Sequence, residues 1–102
     1  MKAKIRINPA AFGDLKYIKE YTSQNSEESG TKIVSKIIEN IESLSRFSEK
    51  GISLAAKIEI KTNYRYLISE DYIIFYIYDN ETVSIQRILH GRRDYLKILF
   101  KE

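Results

Sequence analysis

Between positions 33 and 47, apolar side chains recur at intervals of three and four residues. The stripe consists of Ile33, Val34, Ile37, Ile38, Ile41, Leu44 and Phe47. This period places the side chains on one face of an α-helix, which we expect to end near Phe47. Because such a face must be buried, the chain needs a second apolar surface of similar size to cover it.

A shorter helix is predicted just before this one. Its apolar stripe consists of Phe12, Leu15, Ile18 and Tyr21, widened by Ala11 and Tyr17, and we expect both tyrosines to be core or helix-packing residues. Asn8 can cap this helix and Pro9 suits its first position. The polar residues 22–30 separate the two helices, and Ser26 is a second N-cap. These signals predict a helical hairpin.

The second half of the chain changes to strand-forming sequence. The segments KIEIKT, YRYLIS, YIIFYIY and TVSIQRIL are rich in β-branched and aromatic residues and are separated by turn signals. Residues 2–7 alternate apolar and basic side chains, as a half-buried strand does. We therefore predict an α+β fold over residues 1–102, in one domain. Its order is β-α-α-β-β-β-β, with the N-terminal helical hairpin packed on an antiparallel-rich sheet.

Composition limits the classes of function. The 102 residues contain no cysteine, which excludes disulfides and thiol nucleophiles, and the single histidine argues against a metal site. We expect neither a metal nor another cofactor. A net charge of +3 permits an anionic partner without requiring one. The longest apolar run, IIFYIY, is too short to span a membrane, so we expect a cytoplasmic protein without a membrane partner.

Ionisable residues crowd together where the last predicted strand ends. The segment ILHGRRDYLKILF brings His90, two arginines and Asp94 to a position where strand ends often present functional groups. Arg65, near the start of an earlier strand, could lie nearby. In another interpretation these side chains are merely solvated, and Asp94 pairs with an arginine. Strand alternation also puts Arg87 on an apolar side, so either the strand bulges there or Arg87 lies at the edge of a cleft.

Taken together, these segments resemble the RelE/ParE superfamily of bacterial toxins from type II toxin-antitoxin modules. The resemblance covers NPAAFGDLKYIKEY, IIENIESLSRFSEKGISL and NYRYLISEDYIIFYIYDNETVSIQRILHGRRDY. It implies a growth-arresting toxin, the fold derived above, and a role such as plasmid stabilisation. One branch of the superfamily cleaves messenger RNA on the ribosome, and a ParE-like branch poisons DNA gyrase.

The RNA-cleaving branch implies a proton-transferring site surrounded by cations. Attack by a 2′-hydroxyl needs a base, an acid, and positive charge on the phosphate. The candidate catalytic residues are Arg65, His90, Arg93, Tyr95 and Glu59. The candidates for binding phosphate or another target are Lys57, Lys61, Arg87 and Arg92.

The chain departs from that RNA-cleaving pattern at two places. Lys57 and Lys61 are four residues apart with Glu59 between them, whereas the pattern has lysines two apart. Tyr95 follows Arg93 by only two residues, closer than the pattern's catalytic tyrosine. With the long helices, this favours a ParE-like gyrase inhibitor. The alternatives are a ribosome-dependent mRNA interferase, in which case the chain is an enzyme, and an inactive antitoxin-binding module.

The resemblance also implies an acidic antitoxin that wraps the toxin in a hetero-oligomer, together with gyrase or a ribosome carrying mRNA as the target. Candidate contacts for the antitoxin are Ile18 and Tyr21 on the first helix, and Leu96 and Phe100 near the C-terminus. The C-terminal segment YLKILF has apolar residues at helical spacing. It either packs on the domain or lies in the antitoxin interface, and the sequence leaves both possibilities open.

Overall fold

A computed structural model describes residues 2–100, which form two main helices and a five-stranded sheet. The elements are β1 (Lys4–Ile7), α1 (Pro9–Thr22), α2 (Glu27–Ser43), β2 (Ile52–Ser53), β3 (Arg65–Ser69), β4 (Tyr72–Tyr78), β5 (Thr82–His90) and α3 (Tyr95–Leu99). The predicted α+β order is confirmed, and a short C-terminal helix follows it. Within residues 2–100, no helix is long and apolar enough to cross a membrane.

The strands lie in the order β1-β5-β4-β3-β2. Strand β1 runs parallel to β5, and every other neighbouring pair is antiparallel. The parallel pair joins the first strand in the chain to the last, and the helical hairpin follows directly after β1. The hairpin therefore begins beside β5, and α1 lies near that strand's C-terminal half.

The two helices begin differently. The Ser26 hydroxyl accepts a hydrogen bond from the backbone N–H of Ser29 at 3.0 Å, as the predicted cap of α2 requires. Asn8 stands at the start of α1, but its side chain makes no capping bond and instead donates to Gln86 at 2.7 Å. The predicted side-chain cap at Asn8 is therefore wrong. Helix α2 ends at Ser43, and Phe47 lies beyond it with 61% of its surface exposed.

The main core lies between the helices and one face of the sheet. Its buried members are Ala11, Leu15, Ile18, Ile37, Ile41, Leu44, Tyr72, Ile74, Tyr76, Val83, Ile85 and Ile88. Tyr17 and Tyr21 do not join it, because at 100° per residue they lie about 120° and 80° around α1 from Ala11. They are 63% and 55% exposed, so of the two roles predicted for them, core or helix packing, the core role is wrong.

A second, smaller core covers the opposite face of the sheet. Leu54, Tyr66, Phe75 and Leu89 are buried there, and the C-terminal residues 95–100 pack over them. This contact answers one question that the sequence left open, since YLKILF packs on its own domain.

The predicted strand KIEIKT is wrong. Residues 57–60 form a turn and bends, residues 61 and 62 have no regular structure, and β2 lies earlier, where Ile52 pairs with Tyr66. The reason is that this segment closes over the second core: Leu54 is buried there, and Ile58 packs against the same cluster.

Candidate functional site

Strand β5 carries a bulge just before the cluster of ionisable groups. Phe75 pairs with Arg87 whereas Tyr76 pairs with Ile85, so Gln86 has no partner on β4. Of the two arrangements considered for Arg87, the strand does bulge. The extra residue lets Ile85 and Ile88 both face the main core, although they are three residues apart.

Asp14 on α1 holds the strand just after this bulge. Its carboxylate accepts bonds from Arg87 Nε at 2.7 Å and from Arg87 Nη2 at 2.8 Å. It also accepts the backbone N–H of Ile88 at 2.9 Å. The side chains of Asp14 and Arg87 are only 11% and 28% exposed. The hydrogen bonding that Arg87 donates to Asp14 is the main cause that raises the pKa of Arg87. We call these three bonds the Asp14 clamp.

The sequence contained a signal for this clamp that was missed. Asp14 follows Ala11 by three residues and precedes Ile18 by four, so it borders the buried face of α1. A carboxylate in that position needs a partner, and Arg87 on an apolar side of a strand needs one too. Two such anomalies of opposite charge indicate an ion pair.

Arg65 and Tyr76, which are paired across β3 and β4, hold the loop that follows α2. Arg65 Nη1 donates to the carbonyl of Gly51 at 2.8 Å and to that of Glu49 at 3.3 Å. The Tyr76 hydroxyl donates to the carbonyl of Ser48 and accepts the N–H of Gly51, each at 2.8 Å. Burial raises the pKa of Tyr76, so this hydroxyl stays protonated at neutral pH. Both side chains thus form hydrogen bonds with backbone groups of the loop that follows α2.

We expect Arg65→Ala to lower the free energy of unfolding by about 1 to 2 kcal/mol, since two carbonyls lose a charged donor. Urea denaturation followed by circular dichroism measures this change. Arg46→Ala, at an exposed arginine, is the control and should change stability by less than about 0.5 kcal/mol. Equal stability of the two variants would contradict the structural role of Arg65.

His90, Arg92 and Arg93 line an open cleft of about 630 Å³ between α1 and the end of the sheet. The same cleft is bordered by the following residues: Asp14, Tyr17, Ile18, Tyr21, Tyr72 and Ile88. His90 Nδ1 accepts the backbone N–H of Arg92 at 3.1 Å, which leaves the ring proton of the neutral form on Nε2. We call this the tyrosine cleft. Asp94, which the sequence offered as a partner for an arginine, instead caps α3 by accepting the N–H of Lys97.

Of the remaining candidates, four lie on the opposite face of the sheet: Lys57, Tyr95, Leu96 and Phe100. Lys57 Nζ stands 5.4 Å from the ring centre of Tyr66, and Glu59 and Lys61 are exposed on the same loop. The Tyr95 ring packs on Phe75 at 5.2 Å between ring centres. Leu96 and Phe100, two of the four candidates for antitoxin contact, pack in the second core.

The cationic candidates are therefore spread over the molecule. Arg65 pairs with Tyr76, whereas His90 pairs with Tyr72, so the two strand positions are separated by about 13 Å along β4. Lys57 packs on the opposite face of the sheet from the helices. His90, Arg92 and Arg93 do share one cleft, and that cleft is lined mainly by aromatic and aliphatic side chains.

Similarity to known proteins extends over most of the chain. A family model described as the ParE toxin of the type II toxin-antitoxin system parDE matches residues 5–95. No curated protein sequence matches the chain.

Three solved structures have a similar fold. A chromosomal ParDE TA system from P. aeruginosa contains a chain that is 18% identical, with a TM-score of 0.73, over 87% of this chain and 96% of that one. The toxin-antitoxin complex RelBE2 from Mycobacterium tuberculosis has 18% identity and a TM-score of 0.64, over 88% and 99%. The YoeB-YefM complex from Staphylococcus aureus has 24% identity and a TM-score of 0.54, over 88% and 98%. At these identities the likenesses establish the fold alone.

Proposed function

The chain belongs to the ParE toxin family of type II toxin-antitoxin systems, and on this basis we propose that it arrests bacterial growth by binding DNA gyrase as a protein inhibitor. The family match makes the chain a toxin of such a system. The choice of gyrase over messenger RNA is our proposal, and it rests on how the ionisable side chains are distributed.

The observation that supports this choice is the separation of the groups that RNA cleavage would need. A 2′-hydroxyl attack requires a base and several cations around one phosphate. Arg65 directs its guanidinium to two backbone carbonyls, and Lys57 lies over Tyr66 on the other face of the sheet. A protein inhibitor needs no such convergence, only a shaped surface. The distribution of these side chains therefore favours a binding function.

We also propose that the partner of this toxin in its module is an acidic antitoxin. The three similar structures come from toxin-antitoxin systems, and two of them are complexes by their descriptions. The net charge of +3 on this chain favours association with an acidic protein.

The decisive experiment is induced expression of the wild-type chain and of His90→Ala in a growing bacterium. DNA breaks, plasmid supercoiling and messenger RNA integrity are followed together over the first minutes. We expect growth arrest with DNA breaks and changed supercoiling, while the messages stay intact. Inhibition of purified gyrase by the purified chain should reproduce the effect on supercoiling.

Two outcomes would contradict the proposal. Rapid cleavage of translated messages that is lost in His90→Ala would make the chain an mRNA interferase with chemistry in the tyrosine cleft. Normal growth in cells that accumulate the folded wild-type chain would make it an inactive antitoxin-binding module. Folding is checked in each case by the urea transition of the purified chain.

A further inference from the structure

Two exposed aromatic rings stand at the mouth of the tyrosine cleft. Tyr17 and Tyr21 are one helical turn apart on α1, and their rings stack at 6.1 Å with an angle of 17° between the planes. They are not part of the core, because the residues that α1 buries are Ala11, Leu15 and Ile18. Large aromatic side chains left on the surface beside arginines are enriched in protein interfaces and their energetic centres.

The far wall and the floor of the cleft consist of buried residues. The ring of Tyr72 meets the ring of His90 edge to face at 5.3 Å. Burial raises the pKa of Tyr72, so its hydroxyl is neutral in the physiological range. Ile18 and Ile88 are buried in the main core and form the apolar floor between the two walls. This floor can accept one apolar side chain of a partner.

The rim of the cleft has a surplus of positive charge. Over residues 2–100, the one side-chain ion pair joins Arg87 to Asp14, so neither Arg92 nor Arg93 has an acidic partner there. The Asp14 carboxylate already accepts three hydrogen bonds, so it scarcely opposes an incoming anion. His90 adds a donor, because its Nδ1 is occupied by the N–H of Arg92 and its proton lies on Nε2.

We propose that the tyrosine cleft binds a peptide segment of the acidic antitoxin. In that segment an apolar side chain fills the space between Tyr17 and Tyr72, and a neighbouring carboxylate lies on Arg92 and Arg93. A peptide fits better than single-stranded RNA, since the floor is aliphatic and, among residues 2–100, no lysine lines the cleft and its arginines are Arg92 and Arg93 alone. The inference rests on the proposed antitoxin partner and adds the place and chemistry of its contact.

The inference predicts which surface changes weaken the complex. The probe is the purified protein encoded by the reading frame next to the toxin gene, titrated into the toxin by calorimetry. The double variant Arg92→Gln/Arg93→Gln should raise Kd by about 10- to 100-fold, with a weaker dependence on salt. Tyr17→Ala should raise Kd by about 10-fold. These side chains are exposed, so the variants should fold.

Matched controls lie at the opposite end of β4. Phe47→Ala removes an aromatic ring that is 61% exposed, against 63% for Tyr17. Arg46→Gln/Lys2→Gln makes the same change in net charge as the arginine double variant, also at exposed positions. Both controls should change Kd by less than about 3-fold, because effects far from the contact are limited to long-range charge.

The possible outcomes separate this inference from the proposed function. If the neighbouring protein binds the wild-type toxin but the cleft variants keep the same Kd, the cleft assignment is overturned and the antitoxin partnership stands. If it does not bind the wild type at all, the proposed partner fails and the inference fails with it. If a single-stranded RNA ten nucleotides long binds instead, and the arginine double variant abolishes that binding, the cleft is a nucleic-acid site.

Discussion

Replacing Asp14 with alanine is expected to lower the free energy of unfolding by about 3 kcal/mol. The reason is that three donors lose their acceptor together, at distances of 2.7 to 2.9 Å: two N–H groups of Arg87 and the backbone N–H of Ile88. Arg87 then remains a partly buried charge without a partner, and the bulge in β5 loses its contact with α1. Urea unfolding monitored by far-ultraviolet circular dichroism measures the change.

Three further variants separate the clamp from general effects of mutating α1. Glu20→Ala, on the exposed side of the same helix, should change stability by less than about 0.5 kcal/mol. Asp14→Asn keeps one acceptor and should cost less than Asp14→Ala. Arg87→Met completes a double-mutant cycle with Asp14→Ala, and the double variant should recover part of the loss because no buried charge is left unpaired. Strict additivity in this cycle would show that the interaction between Asp14 and Arg87 contributes nothing.

The second large effect is expected at Gly51, where alanine should destabilise the protein by about 2 to 3 kcal/mol. A Cβ atom there would lie 2.5 Å from the Tyr76 hydroxyl oxygen and 2.9 Å from the backbone oxygen of Tyr66. Tyr76 is fully buried and cannot move aside without losing its bond to Ser48. The substitution therefore forces apart the loop and the sheet that Arg65 and Tyr76 hold together.

Gly13 provides the matched control for this substitution. It lies within α1, and a Cβ atom there has nothing within 4 Å. Gly13→Ala should therefore raise the free energy of unfolding by about 0.5 to 1 kcal/mol, because alanine favours the helix. Replacement of glycine by alanine is thus expected to destabilise the protein at Gly51 and to stabilise it at Gly13. Thermal or urea unfolding of both variants tests this, and a loss of stability at Gly13, or none at Gly51, would contradict the packing described.

Local sequence patterns predicted the elements whose signals are strong. The spacing in α2, the Ser26 cap and strands β3, β4 and β5 are found in the structure. The predictions failed where tertiary contacts overrode local preference. The segment KIEIKT has the composition of a strand. It does not form one, because Leu54 and Ile58 pack against the second core. Tyr17 and Tyr21 have helical spacing, but the buried face of α1 is too narrow to include them.

The positions of candidate site residues were harder to predict, because the periodicity of a sequence does not show which partner a charged side chain contacts. The sequence predicted His90, Arg92 and Arg93 as candidate site residues, and these residues do share a cleft. Arg65, near the start of an earlier strand, could have lain beside them, but it bonds to the loop that follows α2. Their chemical roles stay predictions, to be tested by the expression and binding experiments above.

The sequence by itself determined the α+β order, the helical hairpin and the membership of the ParE toxin family, since these depend on periodicity and on motifs distributed along the chain. Only the tertiary structure decided which charges meet. Asp14 and Arg87 are 73 residues apart, and their contact depends on a one-residue bulge that alters the alternation of β5. The tyrosine cleft likewise exists because the C-terminal part of α1, the start of β4 and the end of β5 lie near one another, and no local pattern encodes that distance.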